Sequence, residues 1–179
     1  MNIPNLITLL RIMLVPVIVI LLIQGSFFHA LIVFIVASLS DALDGFLARV
    51  LKQQTVLGAY LDPIADKALL ASSFVTLSVL HVIPSWLAVI VISRDFIILL
   101  GILVLSIMSI NVEIRPAFVS KITTAMQLIT VLLALSIPCF HIEINEMWIQ
   151  AAYWITAVLT ILSGLNYIMR GMELINHDT

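Results

Sequence analysis

Charge is what this sequence has least of: 10% of its 179 residues are Asp, Glu, Lys or Arg, against about 25% in an ordinary soluble domain. Apolar residues make up 63% and the mean hydropathy is +1.23. A soluble globular protein is excluded, because only a chain whose outer surface faces lipid needs apolar side chains outside as well as inside. The single cysteine, Cys139, excludes an intrachain disulfide and a thiolate or zinc cluster; it reads as a packing residue. The opening Met1-Asn2-Ile3-Pro4-Asn5 has no basic cluster, and no small-residue cleavage pattern follows the first apolar run. The first span is therefore expected to be retained and not removed as a signal. No internal repeat and no low-complexity stretch occurs.

What is there is a series of long apolar runs, which turn residues and charges divide into helices at 5–23, 29–51, 56–81, 85–109, 118–139 and 147–170. A spanning helix needs about 20 residues, so the expected fold is all-α, a polytopic membrane protein with six transmembrane helices in one bundle and a single domain over 1–179. Six spans put both termini on one side. The net charge of −2 decides nothing, but the positions of the bases do: Arg49 and Lys52 flank the second turn, Arg115 and Lys121 the fourth, and Arg170 follows the last span. The first, third and fifth turns hold no Lys or Arg. Because basic residues near span ends stay in the cytoplasm, both termini are expected there, in a multi-pass protein of the cytoplasmic (inner) membrane with no nucleic-acid partner.

Four aspartates interrupt this pattern. The second helix ends in Ser40-Asp41-Ala42-Leu43-Asp44-Gly45-Phe46-Leu47-Ala48-Arg49, and the third begins Leu57-Gly58-Ala59-Tyr60-Leu61-Asp62-Pro63-Ile64-Ala65-Asp66-Lys67. An ionised Asp in a span costs a few kcal/mol even on lenient insertion scales, which makes such residues functional candidates. The plain structural reading pairs Asp66 with Lys67 and Asp44 with Arg49, but two bases cannot neutralise four acids. Asp41, Asp44 and Ala48 follow i, i+3, i+7, and Gly58, Asp62 and Asp66 follow i, i+4, i+8, so each set lies along one helix face. At about 1.5 Å per residue, Asp41 and Asp66 lie roughly 15 Å from the shared cytoplasmic turn, and Asp44 and Asp62 roughly 10 Å. Antiparallel pairing of the two helices stacks them in two layers.

Carboxylates about 5 Å apart repel by roughly 3 kcal/mol at an effective dielectric near 20, which protonation or a cation must relieve. An all-oxygen donor set selects hard ions, Mg²⁺ or Mn²⁺, and four carboxylates suit two ions better than one. Two such ions are a recurring device for displacement at phosphorus, since they neutralise a diphosphate and stabilise its leaving oxygen. A lipid diphosphate fits the setting. Its chains can stay in the bilayer, Gly45 and Gly58 leave room beside the acids, Arg49 is placed to hold phosphate oxygens, and one aspartate can serve as general base.

The run Asp41-x2-Asp44-Gly45-x2-Ala48-Arg49-x8-Gly58-x3-Asp62-x3-Asp66 resembles, at all eight fixed positions, the signature of the CDP-alcohol phosphatidyltransferase family. The opening Ile3-Pro4-Asn5-Leu6-Ile7-Thr8-Leu9-Leu10-Arg11 is similar to that family's first helix, so the likeness covers nearly the whole chain. The resemblance implies a six-helix homodimer in which an acceptor hydroxyl attacks the β-phosphorus of CDP-diacylglycerol and CMP leaves. It implies Asp41, Asp44 and Asp62 as metal ligands and Asp66 as ligand and catalytic base. Gly45, Ala48, Arg49 and Gly58 would line the CDP-lipid pocket, with Asn5 and Thr8 at its nucleotide end.

The signature does not distinguish acceptors. Arg94, Arg115 and Lys121 could clamp the phosphate of a phosphate-bearing glycerol; the structural reading of Arg94 is an ion pair with Asp95, and that of Arg115 a topology or headgroup contact. The opening segment and Leu61 to Lys67 resemble the family's phosphatidylglycerophosphate synthases, which take glycerol 3-phosphate. Ser93 to Ile98 departs from their pattern, and Arg115 to Gln127 resembles the family's cardiolipin synthases, which take phosphatidylglycerol. Glycerol 3-phosphate is the expected acceptor, with phosphatidylglycerol the alternative. A divalent-metal transporter is the reading from another class, but His29, His81, His141, Glu143 and Glu146 sit at the outer turns and no acidic track leads to them. A membrane prenyl-diphosphate transferase would space its aspartates differently, in a longer chain.

Overall fold

In an apolar chain a single segment can satisfy its own backbone hydrogen bonds only by coiling, because neither apolar side chains nor lipid offer partners. The computed structural model accordingly contains six helices among its described residues: α1 (Ile3–Ile23), α2 (Phe27–Val50), α3 (Val56–Val79), α4 (Ser85–Ile107), α5 (Phe118–Phe140) and α6 (Glu146–His177). The structure describes the backbone of residues 3–50, 56–107, 118–140 and 145–177, and the side chains of 8–40, 64–101, 119–140 and 145–172. No strand occurs among the described residues. Two described stretches, Val119–Phe140 and Glu146–Met172, are long and apolar enough to cross a membrane.

The first five helices start and stop within two residues of the expected positions, but α6 runs seven residues beyond the expected end at 170. Hydropathy falls at Arg170, yet nothing there breaks a helix: Arg170 Nε donates to Asn166 Oδ1 at 3.1 Å, one turn back. The 32 residues of α6 make it about 48 Å long. Pro138 lies inside the last turn of α5.

The chain divides into two compact units, Met1–Ile83 with Val131–Glu143, and Pro84–Thr130 with Ile144–Thr179. In the first, α1 packs on both α2 and α3. Their buried apolar positions recur at helical spacing: Ile18 and Leu22 on α1, Ala30, Phe34 and Ala37 on α2, and Leu70, Phe74 and Leu77 on α3. The opposite faces are just as apolar and are exposed, as at Met13, Ile20, Val36, Leu39 and Val79.

In the second unit α4 packs on α6. The two run in the same direction, because Trp86 meets Trp154 at 4.9 Å between ring centroids and Arg94, further along α4, meets Ser163, further along α6. The described part of α5 in this unit runs the opposite way, with Thr123 bonded to the Leu159 carbonyl and Thr130 to Thr156. Asn145 caps α6 by accepting from the Met147 amide at 3.1 Å.

Two turns close by the same device. After α1, the amide of Gly25 bonds to Leu22 O and that of Ser26 to Leu21 O, with Gly25 left-handed at φ 72°. After α3, the amide of His81 bonds to Ser78 O and that of Val82 to Leu77 O, with His81 at φ 58°. Both are left-handed helix caps, but only the first uses the residue that adopts this conformation without a Cβ penalty. A Cβ on Gly25 would meet nothing within 4 Å, so its cost is conformational alone. Gly25→Ala is expected to lower stability by about 1 kcal/mol and His81→Gly to raise it by a similar amount; denaturant midpoints of the detergent-solubilised protein test both signs.

Candidate active site

The eight signature residues fall where the pattern puts them along the chain's helices. Asp41, Asp44, Gly45, Ala48 and Arg49 lie in the last turns of α2, and Gly58, Asp62 and Asp66 in the first turns of α3. Of these, the side chain of Asp66 is described; those of the other seven, and that of Asn5 on α1, lie outside the described residues, as does the whole of Arg115. Among the described residues no three His, Cys, Asp or Glu side chains converge on a point. The donor chemistry of the signature, carboxylate oxygen throughout, fits hard divalent cations and no thiolate- or imidazole-preferring metal.

Asp66 is held by a residue far away in sequence. Arg11 Nη1, on α1, donates to Asp66 Oδ1 at 2.7 Å across a separation of 55 residues. The Arg11 side chain is fully buried, while that of Asp66 is 38% exposed. From the sequence, a pairing of Asp66 with its neighbour Lys67 is set aside, and Arg11 carries no role beyond its place in the opening segment. The signal was available: an arginine alone in an apolar helix requires a counter-charge inside the fold. Thr8, the candidate at the nucleotide end, is fully buried three residues before Arg11.

The second group centres on Arg94, which is buried beside buried Asp95. Arg94 Nη1 donates to Asp95 Oδ1 at 2.6 Å, and Nη2 donates to Ser120 Oγ at 2.7 Å and Ser163 Oγ at 2.8 Å. One guanidinium thus ties α4 to α5 and α6, its stem passing Gly164, where a Cβ would stand 3.5 Å from Arg94 Cγ. Arg94 Nε is buried and has no hydrogen-bond partner among the described residues. Lys121 follows Ser120 on α5 and is exposed.

From this cluster a buried polar seam continues between α5 and α6. Thr123 Oγ1 donates at 3.1 Å to Leu159 O, Gln127 Nε2 donates at 3.2 Å to Thr160 Oγ1, and the hydroxyls of Thr130 and Thr156 lie 2.7 Å apart. All of these side chains are buried. Sequence reasoning missed the seam, although Ser120, Thr123, Gln127 and Thr130 recur every three or four residues, as one helix face requires.

With this geometry in view, the comparisons identify the class. The chain belongs to the CDP-alcohol phosphatidyltransferase family, whose model it matches over residues 1–162. It is 34% identical to human "Cardiolipin synthase (CMP-forming)", over 96% of this chain and 62% of that protein. It is 33% identical to the Mycobacterium tuberculosis "Probable phosphatidylglycerophosphate synthase", over 96% of this chain and 82% of the relative. The "CDP-diacylglycerol--glycerol-3-phosphate 3-phosphatidyltransferase" of Escherichia coli is also 33% identical, over 93% of each chain. The chain therefore spans about three fifths of the human relative's length.

Removing one member of a buried ion pair costs about 3–5 kcal/mol, because the other charge stays behind. Arg94→Met is expected to destabilise the protein by about that amount, and Arg94→Met with Asp95→Leu to recover most of it. Thermal unfolding of the single and double variants in detergent measures the difference; equal losses in the two would show that the charge left on Asp95 is not what costs stability.

Proposed function

We propose that the chain is a membrane-embedded phosphatidyltransferase of phospholipid synthesis that moves the phosphatidyl group of CDP-diacylglycerol to glycerol 3-phosphate, giving phosphatidylglycerophosphate and CMP. The observation that carries the choice of acceptor is the extent of match: the relative named for glycerol 3-phosphate is covered over 93% of its length, the human cardiolipin synthase over 62%. The second reading, transfer to phosphatidylglycerol, is favoured by the 34% identity to that synthase.

In the proposed reaction the acceptor hydroxyl oxygen forms a bond to the β-phosphorus, the bond from that phosphorus to the bridging oxygen breaks, and CMP departs with the electron pair. Asp66 takes the hydroxyl proton on a carboxylate oxygen. Arg49 holds phosphate oxygens of the CDP-lipid, and Gly45, Ala48 and Gly58 allow the nucleotide close to the backbone, with Asn5 and Thr8 at its far end. Asp41, Asp44, Asp62 and Asp66 would hold two Mg²⁺ or Mn²⁺ ions, which when bound neutralise the diphosphate and the developing charge on the leaving oxygen. Arg94, Arg115 and Lys121 hold the acceptor's phosphate; the Arg94 Nε without a partner among the described residues supports an anion there. The working form is a homodimer of one six-span domain in the cytoplasmic membrane, with both termini cytoplasmic.

The test is CMP release by purified protein from CDP-diacylglycerol and Mg²⁺, with glycerol 3-phosphate and phosphatidylglycerol offered separately. Turnover with glycerol 3-phosphate alone is expected, falling to background with excess chelator and returning with added Mg²⁺ or Mn²⁺. Turnover with phosphatidylglycerol alone moves the assignment to cardiolipin synthesis; CMP release with neither overturns the proposal.

A further inference from the structure

We infer that Arg11 is a positioning residue of the reaction, holding the Asp66 carboxylate in the orientation in which it accepts the acceptor's proton. The inference rests on the reading of Asp66 as the base.

Three observations carry it. Arg11 is fully buried at a position on α1 whose helical neighbours Ile18 and Leu22 fill the core, where an apolar residue would pack without the cost of removing a guanidinium from water. The counter-charge that offsets this cost is the last aspartate of the signature, on another helix, at 2.7 Å. That carboxylate is neither sealed in nor loose: its side chain is 38% exposed while one of its oxygens is bound by a group with no exposure at all.

A partly exposed aspartate would ordinarily sample several rotamers. A short, charge-assisted hydrogen bond from a planar donor anchored in the core restricts it to few. A base has to be both reachable by substrate and fixed to within a fraction of an ångström of its productive position. Burial of Arg11 supplies the fixity, and exposure of Asp66 supplies the access. Partners that orient a carboxylate in this way typically change activity by roughly 10- to 100-fold when removed.

The experiment compares Arg11→Gln, Arg11→Lys and Asp66→Asn in the full-length detergent-solubilised protein. It measures kcat, the KM for CDP-diacylglycerol, equilibrium binding of CDP-diacylglycerol and the thermal midpoint of the chelator-treated protein. Expected for Arg11→Gln is a kcat lower by roughly 10- to 100-fold, with KM and CDP-lipid binding within about threefold of wild type. Expected for Arg11→Lys is a smaller loss of kcat, because the charge is kept and the planar fork is not. If Arg11→Gln does not fold, the Lys variant decides: wild-type kcat in it overturns the inference. Loss of CDP-lipid binding in step with kcat in either variant also overturns it, since that is what a merely structural residue would give. Asp66→Asn separates the two levels. Full turnover in Asp66→Asn removes the base itself, whereas an inactive Asp66→Asn beside a fully active Arg11→Gln removes the positioning role alone.

Discussion

A charge buried in an apolar fold must carry its counter-charge with it. Only 10% of the residues are charged, and the two described arginines inside the fold both obey this rule, in different ways. Arg11 finds Asp66 on another helix, so the pair fixes the rotation of α1 about its axis relative to α3. A small turn of α1 would break this 2.7 Å contact between a fully buried guanidinium and its carboxylate. Arg94 finds Asp95 beside it on the same helix, which fixes nothing between helices. The pairing is nonetheless what allows a guanidinium to sit there, and its other terminal nitrogen then reaches Ser120 and Ser163 on two further helices. One ion pair joins elements directly, and the other makes a bridge possible.

The seam between α5 and α6 follows from the same shortage of polar partners. A hydroxyl buried among apolar side chains either folds back on its own helix or reaches a neighbour. Thr123 does both, bonding Val119 O at 2.9 Å and Leu159 O at 3.1 Å. Thr130 and Thr160 likewise bond back to Met126 O and Thr156 O while meeting α6 and α5 respectively. Interhelical bonds of this kind contribute on average about 0.6 kcal/mol each in membrane proteins, so the seam adds only modest stability. Its larger effect is on register, because a slip of one residue along α6 would leave Gln127 facing an apolar side chain.

The helices were legible because each is a single long apolar run ended by turn chemistry, and the described bounds follow those runs closely. The overrun of α6 was not legible from hydropathy, which records where a lipid-like environment ends and not where a helix ends; Arg170 and its bond to Asn166 belong to the second kind of information. The placement of the signature on α2 and α3 was legible because spacing alone assigns residues to positions on a helix. The pairing of Arg94 with Asp95 was visible as adjacency. The Arg11–Asp66 contact was hidden for the opposite reason: 55 residues separate the partners, and periodicity carries no information about which distant helix a face will meet. A count of charges inside the apolar runs would have posed the right question, since Arg11 stands in its run without a nearby acid.

The division of labour among the basic residues has the same origin. Among the described residues the two buried cations, Arg11 and Arg94, are arginines, while Lys121 on α5 is exposed and Lys67 on α3 is partly so. A lysine moved into the interior can shed its proton and leave its acid partner charged and alone. A guanidinium cannot, and its five donors in one plane can serve a carboxylate and further groups at once. Arg94 uses both terminal nitrogens in this way, one on Asp95 and the other shared by Ser120 and Ser163. An ammonium group is a compact point charge without that planar fork. The choice of arginine at these two positions is therefore a choice for permanent charge and fixed direction, which lets Arg11 reach a partly exposed carboxylate from a buried anchor.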